Sequence, residues 1–331
     1  MPRAVSPAIL SDLRASYGAE VVESQLASLR RHGDAVEEPD LWLRTALERH
    51  FKFMSIERVS VCPCGSEHSR PVSRFVFWNL LGVRECEHCR LLFISPRLTS
   101  EAMFRVFQES YFDHDDLTFW GERRMPVFEQ IGRLLRSAGA RTVFDVGTGF
   151  GHFVSWAGSH GFEASGSDLS VRAVQLGRQR LGVCLHAGRL TELDLPPASV
   201  DAVVSLDALY YVADVKDELR AMRRLVRPNG MMILRLRNGA WSRLRIARAR
   251  MRSVGESVMP SEHLYAFTPD TIRPILAAAG WRMRHCAPAA YSRSPISLMH
   301  RALVKTNQLG REILGGVPIV TKSFIVISRP A

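Results

Sequence analysis

The sequence predicts an α/β fold built on a parallel sheet with helices on both faces. Three observations predict it. From Arg141 onward, short apolar strand-like runs alternate with amphipathic segments of helix length. The first of those strands runs straight into a glycine turn, VFDVGTGFGHF, at residues 143–153. The second ends on an acid, in GSDLS at 166–170. A glycine turn between strand and helix lets backbone N–H groups and a helix N-terminus approach a ligand.

The elements follow in order. Residues 8–31 and 39–54 carry helical spacing of Leu, Val, Ala and Trp on either side of the turn HGDAVEEP, and predict two preliminary helices. Residues 59–97 hold a cysteine frame and the β-like runs RFVFWNLL and CRLLFI. A helix is expected from Thr99 to about Gln108, with Thr99 or Ser100 as its N-cap, and another over 122–138. Strands are then expected at 142–146, 162–167, 183–187, 200–205 and 230–237, with helices near 151–159, 170–180 and 214–226. A helix at 268–279, a strand near 281–287, an interrupted segment at 293–316 and a last strand, SFIVIS, complete the chain.

Composition narrows the class. The 331 residues are 46% hydrophobic and 23% charged, which is ordinary for a soluble globular protein. No apolar run approaches the roughly 18–20 residues that span a bilayer. The N-terminus breaks into acids and arginines before a signal-peptide core forms, so a cytoplasmic protein is expected. The net charge of +11 is mostly scattered arginine, with one concentration, WSRLRIARARMR, at 241–252. Arg243, Arg245, Arg248, Arg250 and Arg252 there line a solvated helix or meet an acidic or carrier-bound substrate. Of six cysteines, Cys184 and Cys286 lie alone in apolar sequence and are expected to be buried.

The spacing Asp145-x-Gly147-x-Gly149-x-Gly151, followed by His152, departs from a dinucleotide turn, which wants a small residue at that last place. A carboxylate at Asp145 would repel a pyrophosphate but suits an ammonium. Asp168 is placed to bind both hydroxyls of a ribose. S-adenosylmethionine carries an amino-acid arm and a ribose, and so matches the pair. The successive motifs VFDVGTGFG, GSDLS, LDLPPASVDAVVSLDALYYVADVKDELRAMRRLVRPNGMMILRLRN and EHLYAFTPDTIRPILAAAGW resemble those of class I S-adenosylmethionine-dependent methyltransferases. The resemblance covers about 141–331 and implies a Rossmann-like, seven-stranded sheet whose last strand is antiparallel. It also implies Gly147, Gly149 and Gly151 around the methionine arm, and Asp168 with Leu169 at the ribose. Arg189 and Leu190 would flank the adenine, Leu206 and Asp207 would end the fourth strand, and Tyr111 would approach from the lid side.

Cys62 and Cys64, then Cys86 and Cys89, fit one tetrahedral zinc site in a chain without an export signal. The second pair has the usual two-residue gap; the first, C-P-C, is one residue short, and His68 and His88 are nearby stand-ins. The run CPCGS … ECEHCRLLFISPRLTSEAMFRVFQESYFD resembles an N-terminal four-cysteine module of bacterial methyltransferases, some of which act on sugars or other small metabolites. That resemblance implies a structural zinc. The organisation expected is a helical segment 1–58, a zinc ribbon 59–98, a helical connector and lid 99–140, and the methyltransferase domain 141–331.

The expected function is methyl transfer to a small-molecule acceptor: a sugar, lipid precursor or specialised metabolite. The alternatives are a nucleic-acid methyltransferase gripping with ribbon and arginines, and a non-catalytic protein that binds the cofactor or its product. Against nucleic acid, the fourth-strand loop lacks an Asn/Asp-Pro-Pro-aromatic run, and no aromatic-interleaved basic patch is present. Candidate catalytic residues are His263 as general base, Tyr211, and His114 in the lid stretch YFDHDD. Many relatives carry Glu-His where this chain has Tyr210-Tyr211. Asn238 and Trp241 are expected within reach after the fifth strand.

Overall fold

The computed structural model describes residues 56–76, 81–109, 117–252, 263–290 and 323–331. The helices expected at 8–31 and 39–54, the segment 293–316, and the candidates Tyr111 and His114 lie outside those residues.

Five short strands open the described chain: β1 (Ile56–Glu57), β2 (Ser69–Val76), β3 (Leu81–Cys86), β4 (Leu92–Ile94) and β5 (Arg97–Leu98). Two helices follow, α1 (Ser100–Glu109) and α2 (Leu117–Ser137). Thr99 does cap α1, its hydroxyl accepting from the Ala102 N–H at 3.2 Å. The alternating half then runs β6 (Thr142–Val146), α3 (His152–Ser159), β7 (Glu163–Asp168), α4 (Val171–Leu181), β8 (Cys184–Ala187), β9 (Val200–Leu206), α5 (Val215–Leu225) and β10 (Val226–Arg237). Helix α6 (Gly239–Arg252), β11 (Tyr265–Ala266), α7 (Pro269–Ala278), β12 (Trp281–Pro288) and β13 (Ser323–Pro330) finish it.

The large sheet has seven strands in the order β12-β13-β10-β9-β6-β7-β8. β13 is antiparallel to both its neighbours, while β9, β6, β7 and β8 pair in parallel with each other and β9 with β10. Side-chain alternation along these strands feeds two cores. Phe144, Val203, Met232 and Leu234 pack against Leu219 and Met222 of α5 and Ile272 and Ile275 of α7. Val143, Ala202, Val204 and Ile233 pack against Phe128 and Ile131 of α2 and Phe153 and Trp156 of α3. With both faces covered, the central strands read as continuous apolar runs.

A four-stranded antiparallel sheet, β11-β4-β3-β2, carries the cysteine frame. Its fourth strand comes from far along the chain: Tyr265 and Ala266 pair with Phe93 and Leu92. The Leu264 carbonyl accepts from the Ile94 N–H at 3.0 Å, and the Leu264 N–H donates to the Tyr210 carbonyl at 2.8 Å. The Tyr265 hydroxyl accepts from Arg97 at 3.0 Å and donates to the Ala213 carbonyl at 2.7 Å. Cys62, Cys86, Leu91 and Phe93 accordingly share one core with Phe144, Leu209 and Tyr265.

The two sheets meet where β10 turns into α6. The Gly239 N–H donates to the Phe267 carbonyl at 2.7 Å, and a Cβ on Gly239 would lie 2.3 Å from the Ala266 carbonyl oxygen. Neither neighbour is a side chain that can swing away. Gly239→Ala is expected to force the two backbones apart and lower stability by about 1–3 kcal/mol, measured by urea unfolding. An unchanged midpoint would show that the junction yields.

Candidate active site

A cavity of about 230 Å³ opens at the carboxyl ends of β6, β7, β8 and β9. Ligands of open parallel sheets bind at this edge. Its floor is the glycine turn. Gly147 has φ 74°, and a Cβ there would sit 2.3 Å from the Ala208 Cβ, so the turn closes only without a side chain. Its roof is α1, whose Met103 and Phe107 line the cavity. Gln108 fastens that roof, its amide donating to the Leu169 carbonyl and its oxygen accepting from the Val171 N–H.

Asp145, Gly147, Gly149, Asp168, Leu169, Arg189, Leu190, Leu206 and Asp207 all line the cavity. Gly151 is not among the lining residues; it caps α3 against Val183 and Leu185. The Asp168 carboxylate accepts from the Gly149 N–H at 2.7 Å and the Ser170 N–H at 2.9 Å. It thereby ties the turn to the end of β7 while facing the cavity. Burial raises its pKa against those two hydrogen bonds.

Two further carboxylates sit in contrasting surroundings. Burial pushes Asp145 up to about 7. For Asp207 burial works upward too, but Arg235 and Arg124 outweigh it and hold the group below the usual range. Arg235 donates to Asp207 Oδ2, and Arg124 of α2 lies 3.7 Å from the same oxygen. Asp207 itself stands at φ 63°, a left-handed strain that aims its side chain at the end of β9.

Five buried wall atoms have no hydrogen-bond partner among the described residues: Asp145 Oδ1, Thr148 Oγ1, His152 Nε2, Ser205 Oγ and Asp207 Oδ1. An unmet buried polar atom costs about 1–3 kcal/mol, so a cluster of them around one cavity marks the place of a polar ligand. A cationic amino-acid arm suits Asp145, and a ribose diol suits Asp168. The donor set fits S-adenosylmethionine.

Tyr211 also lines the cavity, edge-on to Phe107 at 5.4 Å. Its hydroxyl lies 3.1 Å from Nε2 of His263. His263 is 6% exposed and stands behind Tyr211, not among the lining residues. Burial, aided by the Arg237 charge, pushes its pKa down to about 3, so the ring is neutral. Asn238 and Trp241 also stay out of the cavity lining, and Asn238 caps α6 through the Ala240 N–H.

Sequence reasoning overlooked Arg124, His152 as a wall residue, and Glu218. Arg124 sits in a helix without a motif. Glu218 had a signal: it falls on the apolar stripe Val215, Leu219, Met222, Leu225 of α5. Of the arginine run, Arg243 turns inward to Glu85 and the Arg90 carbonyl, while Arg245, Arg248, Arg250 and Arg252 fall outside the described side chains. Cys184 is exposed and Cys286 half-buried, contrary to expectation, because each sits on an outer strand of the sheet.

The four frame cysteines converge, with all sulfurs within 4.8 Å of one another. Cys62 and Cys89 sulfurs are 3.6 Å apart, and those of Cys64 and Cys86 3.7 Å. A tetrahedral ion with zinc–sulfur bonds of about 2.3 Å requires sulfurs about 3.8 Å apart. The short C-P-C gap therefore does not spoil the frame. Beside it Glu85, 2% exposed, is ringed by Arg70, Arg90 and Arg243. Burial would raise its pKa, but the guanidiniums of Arg243, Arg70 and Arg90 hold it below the usual range.

A methyltransferase-domain family model matches residues 119–286, which is 168 of the 331 residues. The chain belongs to the methyltransferase-domain family. As such it is an S-adenosylmethionine-dependent methyltransferase. Solved structures to which this methyltransferase is similar include magnesium protoporphyrin IX methyltransferase from Synechocystis with bound S-adenosylhomocysteine, at 15% identity and TM-score 0.46, covering 69% of this chain and 93% of that one. Others are S-adenosylmethionine-dependent methyltransferases from Mesorhizobium loti (21%, TM-score 0.41, 60% and 96% covered) and Archaeoglobus fulgidus (16%, 0.43, 65% and 99%). No curated protein matches it in sequence.

Asp168→Ala is expected to weaken S-adenosylhomocysteine binding by about 1.5–3 kcal/mol, the worth of a hydrogen bond to a charged group. Calorimetry giving equal affinities for wild type and variant would remove Asp168 from the cofactor's contacts.

Proposed function

We propose that this methyltransferase acts on a hydroxyl of a small-molecule acceptor, a sugar, lipid precursor or specialised metabolite, and that Tyr211 and His263 carry the acceptor's proton away. The observation that carries the reading is the hydrogen bond between the cavity-lining Tyr211 hydroxyl and the buried His263 ring. The cofactor supplies an electrophilic methyl on a sulfonium and departs as the thioether S-adenosylhomocysteine. The chain's task is to orient the acceptor, exclude water and remove one proton.

His263 with its proton on Nδ1 leaves Nε2 to accept from the Tyr211 hydroxyl. The Tyr211 oxygen then turns its lone pairs to the cavity and accepts from the acceptor O–H. A proton passes from acceptor to Tyr211 and from Tyr211 to Nε2 as the new carbon–oxygen bond forms. The low basicity of His263 does not forbid this: an alcohol oxygen taking on a methyl becomes an oxonium, a far stronger acid than this imidazolium. The depressed pKa keeps the ring free of protons until that moment. The roof of α1, with Phe107 against Tyr211, favours a compact acceptor over a polymer strand. Arg243, committed to Glu85, is not available to grip an anionic partner.

The cysteine frame, on the same reading, holds a structural zinc through Cys62, Cys64, Cys86 and Cys89. Four thiolates leave no open position for a substrate. Elemental analysis is expected to give one zinc per chain, lost in Cys86→Ser. Because β4 pairs with β11, the variant's His263 segment is expected to gain hydrogen exchange ahead of β6 and β9. Zinc-free wild-type protein made with zinc supplied would sink the assignment.

Tyr211→Phe keeps the ring and removes the hydroxyl. Single-turnover rates on a hydroxyl acceptor found by screening are expected to fall roughly 10²–10⁴-fold, with S-adenosylhomocysteine affinity unchanged. His263→Gln should fall alongside it. Wild-type rates in Tyr211→Phe would exclude the relay and point to an amine acceptor.

A further inference from the structure

The arginine run after β10 sends one member to the cysteine frame. Arg243, in the second turn of α6, extends one guanidinium nitrogen to Glu85 Oε1 and another to the Arg90 carbonyl, 153 positions earlier in the chain. One turn on, Ile246 packs with Val83, Leu92, Ile94 and Ala266 of the ribbon sheet, so the same face of α6 lies against the hairpin.

The conformation of Arg90 gives this contact a purpose. Arg90 closes the turn after Cys89, its N–H donating to the Cys86 carbonyl at 3.0 Å, and it stands at φ 66°. The other cysteine arm uses a glycine for the matching turn: the Gly65 N–H donates to the Cys62 carbonyl at 2.8 Å, at φ 95°. A left-handed arginine is strained where a glycine is not, and such a residue persists only where its surroundings hold it. Two groups hold Arg90. Its side chain lies 3.2 Å from Glu85, and its carbonyl takes the Arg243 fork.

Charge favours the same arrangement. Four thiolates outweigh one divalent cation by two negative charges. Glu85, the residue before Cys86, gathers Arg70, Arg90 and Arg243, which leaves two positive charges beside the frame. Arg70 donates twice to Glu85 Oε2, at 3.0 and 2.7 Å, from the neighbouring strand of the hairpin. Arg243 instead joins that carboxylate to the backbone of the turn.

We infer that Arg243 clamps the metal-binding turn, holding the Cys86–Arg90 backbone in the conformation that closes the four sulfurs on an ion. The inference rests on the zinc reading of the cysteine frame and deepens it. The ribbon then keeps its metal with a fork lent by the helix that leaves β10, and not by its own residues alone. Arg243 is a positioning residue: it acts on the metal through the turn.

The test is zinc release from the zinc-loaded full chain, followed with a chromogenic chelator, in wild type, Arg243→Gln, Arg243→Lys and Arg70→Gln. Arg243→Gln is expected to release zinc about ten- to a hundredfold faster than wild type. Its amides at Cys89 and Arg90 are expected to exchange faster while β6 and β9 keep their protection. Arg243→Lys keeps the charge but cannot span both partners, and is expected to remain faster than wild type. Arg70→Gln removes the same charge from Glu85 without touching the turn, and is expected to stay near wild type. Wild-type release from either Arg243 variant, or equal acceleration by Arg70→Gln, overturns the clamp while the zinc assignment stands. A wild-type chain that loads no zinc overturns both. Should Arg243→Gln lose the protection of β6 and β9 by unfolding, the comparison of Arg243→Lys with Arg70→Gln decides.

Discussion

The backbone of Leu264 joins what would otherwise be two structures. Its carbonyl accepts from Ile94 in the ribbon sheet, and its N–H donates to Tyr210 in the loop after β9. Leu264 is 1% exposed, so neither bond can be traded for water, and breaking either strands a buried polar group. His263 precedes this residue and Tyr265 follows it. The position of the imidazole against Tyr211 is therefore set by a hydrogen-bond ladder that begins in the cysteine hairpin. β4 continues through β5 into α1, so the same hairpin also sets the roof. The cysteine hairpin thus positions both the α1 roof of the cavity and the imidazole that stands behind Tyr211.

Charge is distributed within the cavity so that equal side chains behave differently. Asp207 is already neutralised by Arg235 and Arg124, whereas Asp145 is buried with an empty oxygen and a pKa pushed up to about 7. Asp145 therefore keeps an unmet oxygen toward the cavity, while the charge of Asp207 is already answered. Carboxylates whose environments separate their proton affinities divide the work between them. Asp168, held by two backbone N–H groups, is the rigid member of the three.

The sheet was legible because its signals are local. Strand-helix alternation, the turn at 147–151 and the caps are readable within a few residues, and the strand boundaries expected at 142–146 and 200–205 lie within one residue of those found. What the sequence hid depends on distant partners. Nothing in YA announces that β11 will pair with LF some 170 positions earlier. For the same reason the burial of His263 was not legible, because it is decided by Tyr210 and Tyr211 packing over it. Asp145, Asp168 and the residues after β8 were placed at the cavity by motif. Arg124 comes from a helix whose apolar stripe gave its face but not its neighbour. Cys184 misled because an apolar run at a sheet edge keeps one side bare.

The position of β13 has a consequence for how the chain is made. Of the seven strands in the large sheet β13 comes last along the chain, yet it is inserted between β10 and β12, not added at an edge. Until residues 323–330 emerge, β10 presents an open flank and β12 has no strand to bond. The residues awaited, Phe324, Ile325 and Val326, are fully buried in the finished sheet. Nascent chains therefore pass through a state with a hydrophobic slot in mid-sheet, the kind of opening that recruits chaperones or a strand from another molecule. Residues 323–330 must be made before this catalyst can close its own sheet.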